Sequence, residues 1–71
     1  MKKYYVNKNL ILGSITAKEK TVSDFCKEND IDRSQFYVAL NRAYRAPRSI
    51  FITKVANALK LNVSLVWEEE L

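Results

Sequence analysis

The segment VSDFCKENDIDRSQFYVALN, Val22 to Asn41, carries its buried-type residues where two short helices joined by a tight turn need them. Phe25 and Cys26 share one turn, and Ile31 follows five residues after Cys26. Phe36, Ala39 and Leu40 then repeat at the three- and four-residue spacing of a helix face. Thr21 with Asp24 three residues on resembles a capping box, opening a helix over roughly Val22 to Glu28. Asn29 and Asp30 are the non-glycine types that best tolerate the left-handed backbone of a tight turn. Asp32 with Gln35 caps the next helix, about Arg33 to Asn41. The layout is that of a helix-turn-helix, spanning about 22–41.

Working outward, Asn9 is placed to cap a helix over about Leu10 to Glu19, with Ile11, Leu12 and Ile15 inward. Gly13 weakens that helix by ~1 kcal/mol relative to Ala. Beyond Asn41 comes RAYRAPRS, whose Pro47, the only proline, ends the loop. Ser49 caps a further helix with Ile52, Val55, Ala56 and Leu59 as one apolar stripe. Asn62 caps a fifth, shorter helix with Val63, Val66 and Trp67 on one side, and the acidic run Glu68 to Glu70 lies behind them. No strand of useful length, repeat or linker is visible. The expectation is an all-α domain of five short helices covering 1–71, with a basic N-terminal arm at about 1–8.

Composition bounds the function. A chain of 71 residues buries only roughly 60% of the surface its unfolded form exposes, which leaves little room for a substrate cleft and makes self-association as a homodimer a reasonable supplement. Twelve Lys plus Arg against eight Asp plus Glu give a net +4, which favours a polyanion as partner. The excess is local: Lys2, Lys3, Lys8, Lys18 and Lys20 against Glu19 make the first 21 residues +4, and Val22 to Leu71 sums to zero. The lone Cys26 excludes an intramolecular disulfide and reads as a small core residue in a reducing compartment. No apolar run approaches the ~20 residues of a membrane span, and MKKYYVNKN lacks the apolar region of a signal peptide. With no His, no nucleophile beside a base and no Gly-rich phosphate loop, neither an enzyme nor a cofactor or metal site is expected.

Laid out this way, Leu10 to Glu68 resembles the lambda-repressor-like (Cro/C1-type, XRE) helix-turn-helix family of temperate phages and bacterial regulators. Thr21-Val22-Ser23-Asp24-Phe25-Cys26 is similar to that family's opening of helix 2, with Cys26 in the small position that lets helices 2 and 3 approach. Ile31 corresponds to the apolar residue after the turn, and Phe36-Tyr37-Val38-Ala39-Leu40-Asn41 is similar to the end of the recognition helix. Pro47 to Leu65 resembles the family's fourth helix and the start of its fifth. The family has Gly in the turn, after helix 3 and after helix 4, where this chain puts Asp30, Arg42 or Ala43, and Lys60. Val22 replaces a phosphate-contacting Gln, and Asn29 replaces an apolar residue.

The resemblance implies that the third helix faces outward to read a DNA major groove. Its outward positions are Asp32, Arg33, Ser34, Tyr37, Val38 and Asn41. Arg33 suits guanine, Ser34 a phosphate, Asn41 a base or backbone, and Val38 a thymine methyl. Arg42, Arg45 and Arg48 recur every three residues around Tyr44, a pattern that suits a phosphate clamp and equally a protein hot spot. Tyr37 and Val38 suit a protein partner as well as DNA. Trp67 reads as core, with dimer support as its other use.

The leading expectation is a small phage or prophage transcription regulator of a lysis-lysogeny switch, binding double-stranded operator DNA in the bacterial cytoplasm. The alternative is an antirepressor of the same fold that masks the DNA-binding domain of a phage repressor, and here the chain resembles the modulator-of-repression proteins of lactococcal temperate phages. The antitoxin of a toxin-antitoxin pair is the third reading.

Overall fold

The computed structural model describes residues 2–69. Met1 of the expected arm, Glu70 of the acidic run and Leu71 lie outside the described residues. The chain runs through strand β1 (Tyr4–Val6), helices α1 (Lys8–Ala17), α2 (Val22–Glu28), α3 (Arg33–Asn41) and α4 (Ile50–Ala58), one turn of 3-10 helix (Val63–Val66) and strand β2 (Trp67–Glu69). It is mostly helical with a small sheet.

Local chemistry sets most of the boundaries. Thr21 and Asp24 form a complete capping box, the Thr21 hydroxyl accepting from Asp24 N at 3.1 Å and the Asp24 carboxylate from Thr21 N at 3.3 Å. Asp32 accepts from Gln35 N at 3.1 Å, and Ser49 from Ile52 N at 3.3 Å. Each satisfies an N–H left without an intrahelical acceptor and is worth about 1 kcal/mol.

Helices α1, α2 and α4 close the same way. Glu19, Asp30 and Lys60 adopt φ of 59°, 55° and 58°. The next residue then donates back to the helix, from Lys20 N to Ile15 O, Ile31 N to Cys26 O and Leu61 N to Ala56 O. This is the Schellman closure, which ordinarily uses glycine at the left-handed position. The single glycine, Gly13, sits exposed inside α1 instead. Helix α3 ends differently, at Arg42 in extended backbone at φ −91°, ψ 160°.

The core gathers one face of β1, the four α-helices and the 3-10 turn: Val6, Ile11, Ile15, Phe25, Cys26, Ile31, Phe36, Leu40, Ile52, Val55, Ala56, Leu59 and Val66 are buried, and among the described residues no buried one is polar or charged. The Phe25 and Phe36 rings meet at 5.9 Å and 54°, fastening α3 to α2. Burying each ring contributes about 2–3 kcal/mol.

Three expectations are corrected. The chain is not all-α: β1 pairs antiparallel with β2 in the register Tyr4–Glu69, Tyr5–Glu68 and Val6–Trp67. Residues 4–6 of the expected basic arm are therefore tied to the body of the protein, and Lys8 begins α1. That helix starts two residues early because Asn7, not Asn9, caps it by accepting from Leu10 N at 3.1 Å. The expected fifth helix is a single 3-10 turn capped by Asn62. It stops at Val66 because Asn7 N donates to Val66 O at 2.7 Å, which starts the sheet pairing that Trp67 continues.

Candidate interaction surface on the third helix

Phe36 and Leu40 turn α3 inward, so Arg33, Ser34, Tyr37, Val38 and Asn41 are left on its outer side, all exposed. The middle of this face is apolar: Val38 is 65% and Tyr37 42% exposed, with the Tyr37 ring edge-on to Phe36 at 5.7 Å. Beside Val38 lies a groove of about 350 Å³ between α3 and the start of α4, lined by Ser34, Val38, Ala39, Arg42, Tyr44 and Phe51.

The start of the face is mixed in charge, with Asp30 and Asp32 beside exposed Arg33, and its far end is basic. At the start of α3 the carboxylates of Asp30 and Asp32 are both exposed. Asp32 uses Oδ1 for the cap, so its second oxygen and its charge stay available to a partner. About 13 Å further along, at 1.5 Å rise per residue, α3 runs into Arg42 and the loop bearing Arg45 and Arg48.

Several sequence-assigned residues are already engaged. Asn41 donates from Nδ2 to Tyr37 O at 2.8 Å and accepts from Lys8 Nζ at 2.9 Å. The Arg42 guanidinium lies 4.7 Å from the centre of the Tyr44 ring. Tyr44 is half-buried. Its hydroxyl donates to Ala39 O at 2.8 Å, its ring meets Trp67 edge-on at 5.0 Å, and its backbone exchanges hydrogen bonds with Tyr4. Burial pushes the Tyr44 phenol above its ordinary pKa, opposed by the Arg42 charge. Burial likewise raises the Cys26 thiol. Trp67 packs half-buried in the core with Nε1 lacking a hydrogen-bond partner.

The three arginines do not converge. Arg42 borders the α3 groove, Arg45 lines a cleft with Lys2 and Lys3, and Arg48 sits with Ile50 and Thr53 at the start of α4. Ile50, 94% exposed, is a surface residue the sequence reading passed over. Its position two residues ahead of the Ile52-Val55-Ala56-Leu59 stripe is the signal that it lies off the inward face. Lys8, which fixes Asn41, carried no such signal.

No group of His, Cys, Asp or Glu that could hold a metal ion occurs among the described residues. No helix among them is long and apolar enough to cross a membrane. No family model, curated protein or solved structure matches the chain.

Proposed function

We propose that this chain is a lambda-repressor-like helix-turn-helix protein, with α2, its turn and α3 as the unit, serving a lysis-lysogeny type of switch in the bacterial cytoplasm. Its partner at α3 is the DNA-binding domain of a phage repressor, so that it acts as an antirepressor. The observation that carries this choice is the pairing of Asp30 and Asp32 at the start of α3 with exposed Tyr37 and Val38 in its middle. In a helix-turn-helix bound to DNA, the first residues of the recognition helix approach the base edges. Two carboxylates there oppose the phosphates, whereas they complement the basic face by which a repressor holds its operator. Tyr37, Val38 and the groove beside them supply the apolar centre that a protein interface needs.

Operator DNA remains the second reading, favoured by Arg33, which lies exposed in the first turn of α3 without an ion-pair partner among the described residues. The sequence alone puts DNA first; exposed Asp30 and Asp32 beside exposed Tyr37 and Val38 favour the repressor.

The test is calorimetric titration of a lambda-like phage repressor with wild type, Tyr37→Ala and Asp32→Asn. Asn keeps the helix cap while removing the charge. Both variants weaken repressor binding about tenfold or more and keep the helical spectrum, in line with loss of an aromatic anchor and of a complementary charge. Full affinity in both variants would refute the proposal.

A further inference from the structure

Strand β2 pairs with β1 along one edge only, and the direction of its main chain shows what the other edge offers. Tyr4 N donates to Tyr44 O at 2.9 Å and Tyr44 N to Tyr4 O at 2.8 Å, so the main chain of Tyr4 faces away from β2. Main-chain groups alternate in direction along a strand, which turns those of Tyr5 and Glu68 toward each other. Asn7 N, donating to Val66 O at 2.7 Å, keeps the same alternation. Trp67 and Glu69 are thereby turned outward. No main-chain group among the described residues bonds the N–H or C=O of Trp67 or the N–H of Glu69 on that outer side. An unpaired edge of this kind is a template for a further strand.

The side chains decide which strand fits. A second copy of β2, laid antiparallel so that Trp67 and Glu69 both pair, sets Glu68 directly opposite its own counterpart. Like charges at such a position oppose the pairing. Glu68 is exposed and forms no ion pair among the described residues, and Lys8, which lines the same cleft, donates to Asn41 instead. A lysine or arginine opposite Glu68 turns the repulsion into attraction. On the other face of the strand, Trp67 and Glu69 border a cleft of about 450 Å³ with Tyr4, Pro47, Val63 and Ser64. Residues that pair with Trp67 and Glu69 point to that face, because side chains alternate along a strand. Trp67, Val63 and Pro47 suit an apolar side chain there.

We infer that the outer edge of β2 docks an extended segment of another protein, in which a Lys or Arg stands between two apolar residues. Main-chain bonds supply the affinity, and the Glu68 charge and the cleft supply the choice of sequence. The surface is built from β2 and the 3-10 turn rather than from α3, and does not depend on the partner proposed for that helix.

NMR titration of the full chain with millimolar acetyl-Thr-Ile-Lys-Ile-Thr-amide tests this. Binding slows exchange of the Trp67 and Glu69 amide protons and leaves that of Glu68, already directed at β1, unchanged. Replacing the peptide lysine with glutamate weakens binding about tenfold, and Glu68→Lys reverses the preference. Methylating the main-chain nitrogens of both peptide isoleucines abolishes binding, because the bonds to the edge are lost. Tyr37→Ala keeps peptide binding, which separates this surface from the α3 face. Absence of binding, protection that omits Trp67 and Glu69, or equal affinity for the lysine and glutamate peptides overturns the inference. So does protection of these two amides that rises with protein concentration alone, which would assign the edge to a second copy.

Discussion

Truncating Phe36 to Ala removes the ring that joins the α2–turn–α3 unit to the rest of the core. Phe36 has no exposed surface, and its ring lies 5.9 Å from Phe25 and 5.7 Å from Tyr37. Deleting a fully buried Phe costs about 3–5 kcal/mol in lost burial and residual cavity, a range that includes the ~0.5–1.5 kcal/mol of an aromatic pair. A chain of 71 residues has about 4–10 kcal/mol in total, so most of its stability goes. Phe36→Leu fills much of the cavity and costs about 1–2 kcal/mol. Urea unfolding followed by helical circular dichroism and by the fluorescence of Trp67, the only tryptophan, measures both variants against wild type. The midpoint falls sharply for Ala and modestly for Leu, with the two probes coincident. A loss below about 1 kcal/mol for Phe36→Ala would show that α3 is not held by this ring and would refute the packing account.

Three other outcomes follow from particular residues. Lys60→Gly relieves a left-handed non-glycine and raises stability by up to about 1 kcal/mol, and Asp30→Gly raises it less, because Asp tolerates that conformation better; thermal melts rank the two. Tyr44→Phe removes the hydrogen bond to Ala39 O and costs about 1 kcal/mol by urea unfolding, with little change in the affinity of the α3 face for its partner. Stability declines with rising alkalinity: the Cys26 thiol and the Tyr44 phenol both titrate higher in the folded state, so the unfolded chain releases those protons first. Their contribution is complete below the ordinary thiol and phenol pKa values and is lost as pH rises through the folded ones, which unfolding measured at pH steps from about 8 upward reads directly.

The helices were legible because their chemistry is local. Thr21, Asp32, Ser49 and Asn62 each bond a backbone N–H two or three residues away, so the cap shows in a short window of sequence. The apolar stripe of α4 repeats often enough to fix its inward face. The sheet had neither advantage. Tyr4–Val6 and Trp67–Glu69 are three residues each, too short for an alternation to register, and their pairing joins the two ends of the chain. Trp67 followed by acids reads locally as the end of a helix, and only the bonds from β1 draw it into a strand. Asn7 and Asn9 offer the same capping side chain, and nothing in the spacing of Ile11 and Ile15 separates them.

The candidate surface divides along the same line. Arg33, Ser34, Tyr37 and Val38 were assignable because they lie opposite Phe36 and Leu40 on one helix. The half-burial of Tyr44 was not legible because its partners Tyr4 and Trp67 are distant in sequence.

Competition between this protein and operator DNA for the repressor is the most direct measurement. A preformed complex of the same phage repressor with labelled operator is titrated with the chain, and release of the label is followed. The account gives full release at saturation, with Tyr37→Ala shifting the curve to higher concentration. A ternary complex in which repressor keeps its operator while this protein is bound at α3 would contradict it.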